Sequence, residues 1–177
     1  MAASNQTKEL VVRLRLRSEV GQIPLAVEQI MFVVRQSGYV LGQEIEVELA
    51  FAEALSNAIV HGNRMDPDKW VHVRCTCDPE EGVSIVVRDQ GRGFDPDRIP
   101  DATTLAGMRS LPGRGILIMQ SYMDEVSFEK GGTEVYMRKD PAVARVGSSR
   151  PRSHILSSGS QPLAASGSGE LLHRSVA

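Results

Sequence analysis

A chain of 177 residues, 41% hydrophobic and 24% charged with a formal net charge of -2, is long enough for one domain with a sizeable core plus a tail. Near-neutral charge argues against bulk nucleic-acid binding, and no run approaches the roughly 18 continuous apolar residues of a membrane span. The N-terminal MAASNQTKEL lacks the apolar segment of a signal peptide, so the cytoplasm is the expected location.

Val12-Arg13-Leu14-Arg15-Leu16-Arg17 alternates strictly, which predicts a strand with one buried face and one wet face carrying three arginines. Ser18 or Glu19 then precedes a helical pattern of Val20, Ile23, Val27, Ile30, Met31 and Val34, with Pro24 near the first turn and Gly38 past the end. A second helix is expected over residues 44–63, EIEVELAFAEALSNAIVHGN. Its apolar stripe reads as Ile45, Leu49, Ala52, Leu55 and Ile59. Gly62-Asn63 and Asp66-Pro67-Asp68 mark the following turn. Val71, Val73, Cys75 and Cys77 alternate with polar residues, and residues 83–88 form a second apolar run, so the pair reads as a hairpin. The two cysteines point to one face and read as small core residues, because no His or Cys companion stands nearby to complete a zinc site.

From Asp89 the pattern changes to DQGRGFDPDRIPDATTLAGMRSLPGRG, rich in Gly, Pro and Asp and without periodicity. A stretch of that length inside a compact domain reads as a functional loop. A short helix follows over residues 116–123, opened by Gly113-Arg114-Gly115. Strands over 125–129 and 133–139 close the domain around the turn Lys130-Gly131-Gly132. Beyond Pro141 the composition shifts to Ser, Gly, Pro, Arg and Ala. Residues 1–140 are therefore expected to be one folded domain and 141–177 a disordered tail.

This order predicts an α+β two-layer sandwich, helices on one face of a mixed, mainly antiparallel sheet. The open face would carry Arg13, Arg15, Arg17, His72, Arg74, Arg88, Glu134, Tyr136 and Arg138. Such a basic surface serves solubility alone, docks an acidic partner, or makes a dimer contact through the first strand.

Candidate site residues stand out by spacing. Glu53, Asn57 and His61 lie at i, i+4 and i+8, so a regular helix would stack them roughly 6 Å apart at each step, as a functional row or a solvated polar edge. Asp89-Gln90-Gly91-Arg92-Gly93 follows a strand directly. Its carboxylate can accept a hydrogen bond from an amino group such as that of adenine, whereas guanine presents an acceptor there. Gly91 and Gly93 let backbone approach a ligand closely. Gly113-Arg114-Gly115 opens a helix whose free N–H groups favour anions, with Arg114 as an added cation.

Either glycine cluster alone is weak. The ordered set of E-x-x-x-N on a helix, D-x-G-x-G after a strand, G-x-G opening a helix and Gly132-Thr133 entering a strand is specific, and it resembles the GHKL ATPases. Within that group the chain resembles the anti-sigma-factor serine/threonine kinases of bacterial partner-switching systems across about residues 8 to 140. EALSNAIVHGN, DQGRGFDP, GRGILIMQSYMDEV and GGTEVYMRK carry the likeness. The tail lies outside it.

The resemblance implies a Bergerat-type ATP-binding fold, ATP and Mg2+ as cofactors, and roles for individual residues. Asn57 would be the magnesium ligand, in keeping with the few protein oxygens that magnesium takes. Asp89 would contact the adenine amine, with Thr133 beside it. Gly91, Gly93, Gly113, Arg114 and Gly115 would line the nucleotide, and residues 95–112 would form a lid. Glu53 would be the general base; His61 either contacts phosphate or braces the helix end. Histidine kinases typically carry asparagine where this chain has Glu53, and a hydroxyl nucleophile needs a base where a neutral imidazole does not. Serine phosphorylation or ATP hydrolysis is the better expectation. Two departures from the family pattern stand out: Ile116-Leu117 replaces the usual Leu-aromatic pair after Gly115, and the tail is longer than these compact kinases need.

The function implied is an ATP-dependent serine/threonine protein kinase and anti-sigma factor, acting as a homodimer. It would phosphorylate a small anti-sigma-factor antagonist and sequester a sigma factor. The alternatives are an ATP-gated binding module without kinase activity, a partner switch acting on another target, and a nucleotide-independent structural protein.

Overall fold

The computed structural model describes residues 9–95 and 113–142. Most of the expected tail and most of the expected lid lie outside those residues, while Ala142 of the tail still donates its N–H to the Tyr39 carbonyl at 2.8 Å. The described part is α+β. Its strands are β1 (Leu10–Arg17), β2 (Trp70–Asp78), β3 (Gly82–Arg88), β4 (Glu125–Glu129) and β5 (Glu134–Lys139). They form one sheet in the order β1-β2-β3-β5-β4. The helices are α1 (Gln22–Ser37), α2 (Glu44–Ser56) and α3 (Gly113–Tyr122).

Every pair of neighbouring strands in the described part is antiparallel, so the mainly antiparallel sheet is found as expected, without the parallel pair that a mixed sheet would add. The physical reason is the number of passes between strands. Two helices separate β1 from β2, so the chain returns to the end of the sheet it left and β2 runs down beside β1. β3 and β4 both run antiparallel to β5 and hence parallel to each other, but β5 lies between them and pairs with both. No parallel neighbours remain among the described residues.

Period-2 alternation sets the two faces. Arg13, Arg15 and Arg17 are exposed while Val12, Leu14 and Leu16 are half-buried, and β1 runs in register beside β2 from Leu10 opposite Cys77 to Arg17 opposite Trp70. On the inner face Val71, Val73, Cys75 and Cys77 of β2, Val83, Ile85 and Val87 of β3, and Val135 and Met137 of β5 are buried. They pack against Ile30, Met31 and Val34 of α1 and Phe51 and Leu55 of α2. Full burial of side chains this large contributes roughly 1.5–3 kcal/mol each. The cysteines are core residues, as expected. Both are free thiols whose Sγ atoms lie 4.0 Å apart in a hydrogen bond, and that bond to Cys77 together with burial pushes the Cys75 thiol up.

The second helix departs from its expected phase. Ile45 and Leu49 are 72% and 44% exposed, whereas Val47, Ala50, Phe51, Ala54 and Leu55 are buried. The sequence 45–55 is apolar on two sides, so a helical period fits either phase. Contact with both α1 and α3 selects the arc through Val47, Phe51 and Ala54, because that arc faces the sheet. Nor is residues 44–63 one α-helix. After Ser56 it passes into a π-helical turn, Asn57–Gly62.

Lys139 is 2% exposed. Its ammonium donates to the Glu46 carboxylate and to the Tyr122 carbonyl, with Asp124 at 4.0 Å. A buried cation is tolerated only with such partners. This one joins the end of β5 to α2 and to the last carbonyl of α3.

Candidate functional site

The π turn, the loop after β3, the Lys130–Gly132 turn and the inner side of α3 enclose a cavity of about 730 Å³. Its floor is apolar: Val87, Ile116, Met119, Phe128 and Val135 contribute. Phe94 closes one side, its ring edge-to-face with Phe128 at 5.2 Å and 69°. Asn57, His61, Asp89 and Thr133 supply polar walls, and Arg64, Lys69 and Arg92 bring cations to the lining. An apolar slot with a few convergent polar groups suits a flat heteroaromatic ligand, and the lining cations stand beside the carboxylates of Asp89, Asp95 and Glu134.

The π turn explains how the polar walls meet. A π turn closes its hydrogen bonds over five residues instead of four, as Asn63 N–H to the Ala58 carbonyl does here, which breaks the even i, i+4, i+8 row after Asn57. Asn57 and His61 both line the cavity, but His61 is exposed. The same turn carries the Gly62 backbone against Asp89. A Cβ on Gly62 would lie 2.5–2.8 Å from the Asp89 carboxyl atoms, so any larger residue would push that carboxylate aside.

Two hydrogen bonds hold Asp89. Its N–H donates to the Thr133 carbonyl at 3.0 Å, and its Oδ1 accepts the Gly91 N–H at 2.6 Å. Burial pushes its carboxyl above the ordinary carboxylate range, partly offset by the Gly91 hydrogen bond and by Lys69. The loop is anchored further by Asn63, which is fully buried. Asn63 Nδ2 donates to Ser18 Oγ at 2.7 Å and to the Trp70 carbonyl at 3.0 Å, while its Oδ1 accepts the Gln90 N–H at 2.8 Å. Gln90 Oε1 in turn accepts the Trp70 N–H at 2.7 Å. Four segments distant in sequence are thereby fixed around one amide.

The expected residues divide into two groups. Asn57, His61, Asp89, Gly93 and Thr133 line the cavity. Glu53, Gly91, Arg114 and Gly115 are not among its lining, although Gly91 fixes Asp89. Gly113 is the first residue of α3, so the glycine cluster lies inside the first turn rather than ahead of residue 116. Arg114 is exposed. Glu53 and Asn57 face α3 directly: a Cβ on Gly115 would lie 2.9 Å from both Glu53 Oε2 and Asn57 Nδ2. Thr133 precedes β5 instead of starting it, and its hydroxyl donates to the Lys130 carbonyl at 3.0 Å. Among the described residues no group of three or more His, Cys, Asp or Glu side chains could hold a metal ion.

Sequence reasoning missed the cations Arg64 and Lys69 and the rings Phe94 and Phe128. Arg64 and Met65 both adopt positive φ, 59° and 56°, an uncommon backbone for such residues, and periodicity gives no sign of it. Arg92 and Phe94 stand inside the DQGRGFDP phrase, whose composition did point to a site.

The family of histidine kinase-like ATPase domains matches residues 16–139. Similar curated proteins include an Anti-sigma F factor of Priestia megaterium, 32% identical over 100 residues, which covers 53% of this chain and 67% of that protein. An Anti-sigma F factor of Geobacillus thermodenitrificans (strain NG80-2) is 36% identical over 107 residues, covering 56% and 71%. That of Geobacillus stearothermophilus is 38% identical over 102 residues, covering 53% and 67%.

Proposed function

The chain belongs to the family of histidine kinase-like ATPase domains, and from that premise we propose that it is an ATP-dependent serine/threonine protein kinase that also acts as an anti-sigma factor. The observation that carries the nucleotide reading is Asp89. A half-buried carboxylate in the wall of an apolar slot accepts the exocyclic amine of adenine and repels the carbonyl of guanine. Thr133 stands beside it, and Val87, Met119 and Val135 offer the flat surface a base requires.

The residues also suit the rest of the nucleotide. Lys69, Arg64 and Arg92 complement phosphate charge. Asn57 offers one amide oxygen, enough for Mg2+ when phosphates and water complete the shell. Bound ATP with Mg2+ supplies the transferable phosphoryl group. Glu53 stands one helical turn before Asn57 and takes the proton of the attacking serine hydroxyl, which is a poor nucleophile while protonated.

The relatives named Anti-sigma F factor support a sigma factor as one partner. A sigma factor is held by the chain, and a small antagonist is its phosphorylation substrate. Phosphorylation adds close to two negative charges to the antagonist and reverses its binding by electrostatic repulsion and desolvation. The acting unit is a homodimer in the cytoplasm. Among the described residues no helix is long and apolar enough to cross a membrane.

One observation favours a second reading. Glu53 packs at the junction with Gly115 rather than in the cavity lining, as suits a nucleotide-gated binding module in which ATP sets partner affinity without phosphate transfer. Calorimetric titration with ATP and GTP, with and without magnesium, tests the pocket. ATP-selective, magnesium-dependent binding that Asn57→Ala weakens supports the proposal, and binding of neither nucleotide overturns it. Single-turnover transfer to the antagonist then separates the two readings. Glu53→Gln should bind ATP and transfer no phosphate; transfer by that variant at the unmodified rate removes Glu53 from its role.

A further inference from the structure

The open face of the sheet is electrically lopsided. At its β4/β5 end the cations are compensated: Arg138 pairs with Glu125 at 3.0 Å and with Asp140, and Glu134 pairs with Lys130 at 2.5 Å and Arg88 at 4.0 Å. At the β1/β2 end Arg13, Arg15, Arg17, His72 and Arg74 are all exposed. Among the described residues none of the four arginines there has a carboxylate partner. Register makes the concentration worse, because Arg13 stands directly opposite Arg74 and Arg15 opposite His72. Like charges in directly paired positions destabilise a sheet, so the isolated domain gains nothing from this arrangement.

The shape of the face adds a seat. A shallow depression of about 220 Å³ lies between Arg13, His72, Arg74, Val86, Arg88 and Glu134, the last of these already paired with Arg88 and Lys130. Beside it the guanidinium carbons of Arg15 and Arg17 lie 3.9 and 4.0 Å from the centre of the Trp70 ring. Stacking on an aromatic ring orients a guanidinium and leaves its edge N–H groups free for a carboxylate. Arg17 is fixed further by donating to the Pro67 carbonyl at 3.1 Å.

We propose that the β1/β2 half of the open sheet face, centred on Arg13, Arg74 and the Arg15–Trp70–Arg17 cluster, is a docking surface for an acidic segment of a partner protein. Alternating glutamates or aspartates of an extended segment reach the depression and the stacked guanidiniums in turn, forming charge-assisted and bidentate hydrogen bonds. Two other occupants suit the face less well. A single-stranded nucleic acid needs open aromatic faces on which bases stack, and here the Trp70 ring is already covered by guanidiniums. The same face of a second copy would bring either the same unpaired cations or carboxylates already paired with Arg88, Lys130 and Arg138. This surface lies on the side of the sheet away from the helices and does not rest on the nucleotide reading.

Trp70 is the single tryptophan of the chain, so its emission reports on the surface directly. The full-length protein is titrated with a glutamate-rich peptide, a glutamine-rich peptide of equal length and a single-stranded oligonucleotide, at low and physiological salt. The same titrations are made on Arg13→Glu and Arg74→Glu, neither of which is assigned a contact with the Trp70 ring. The expected result is a saturable emission change with the glutamate peptide alone, weakened at least tenfold by either substitution and by added salt, with circular dichroism unchanged. No saturable change with the glutamate peptide overturns the proposal. Tighter binding of the oligonucleotide overturns it in favour of nucleic acid. Sedimentation showing a dimer that Arg74→Glu dissociates overturns it in favour of a second copy.

Discussion

Gly91 donates its backbone N–H to Asp89 Oδ1 at 2.6 Å, across the tight turn that follows β3. The bond holds the carboxylate in the cavity wall, although burial disfavours its charge. Because the folded-state value is raised, the unfolded chain releases this proton at lower pH than the folded one. Stability therefore falls as pH rises from the ordinary carboxylate range through the raised value. Asp89→Asn removes that loss while keeping an oxygen for the Gly91 N–H. The variant should melt higher than the unmodified protein at pH 7, with the difference vanishing below the ordinary carboxylate range. Its affinity for ATP should fall about 10- to 100-fold, the worth of a hydrogen bond to a charged group. Calorimetry and thermal melts across pH check both halves.

Gly115 separates α3 from Glu53 and Asn57. The Cβ of an alanine would sit 2.9 Å from Glu53 Oε2 and Asn57 Nδ2, closer than unbonded atoms approach. Gly115→Ala should cost about 1–3 kcal/mol of stability by overpacking. It should also reduce phosphate transfer more than ATP affinity, since the displaced groups are the proposed base and metal ligand. A melt paired with single-turnover and equilibrium binding measurements distinguishes the two effects.

Lys139 is a buried cation whose removal strands the carboxylate of Glu46 and the Tyr122 carbonyl. Lys139→Ala should destabilise by roughly 1–3 kcal/mol, less than for a fully buried pair because Glu46 is 38% exposed and water takes up part of its unpaired charge. Lys139→Met combined with Glu46→Gln replaces the pair with groups of similar volume and should recover most of that loss. Chemical denaturation of the single and double variants gives the comparison.

Asn63 satisfies Ser18, Trp70 and Gln90 with one side chain. Asn63→Ala leaves the Gln90 N–H and the Trp70 carbonyl without that partner, at about 1–3 kcal/mol for each buried group left unpaired. Asn63→Asp keeps the acceptor for Gln90 but loses the donor, and should fall between the two. Because Trp70 is the single tryptophan, its emission during denaturation follows this network directly.

Much of the architecture was legible because it depends on local periodicity. Strict alternation around Arg13, Arg15 and Arg17, the β2–β3 hairpin and the turn at residues 130–132 each follow from side chains two apart facing opposite sides of a strand. Asp89, Asn57 and Thr133 were legible too, since a carboxylate and glycines at a strand end, or a polar residue in an apolar helix, stand out against their neighbours. These features were determined by the sequence itself.

Only the tertiary structure decided the rest, since each remaining feature depends on a second segment. The burial of Phe51 in place of Ile45 was set by α1, α3 and the sheet, for both phases of that helix are apolar. Separation of the parallel strands β3 and β4 came from the insertion of β5 between them. Lys139 reads as an ordinary strand-end lysine until Glu46 and Tyr122 are brought to it. The π turn gave Asn57 and His61 their unequal settings, and hydrogen bonding across residues 18, 63, 70 and 90 fixed the loop that carries Asp89. Sequence spacing encodes what one element presents, whereas burial and hydrogen-bond satisfaction are properties of pairs of elements and are resolved only when the chain packs.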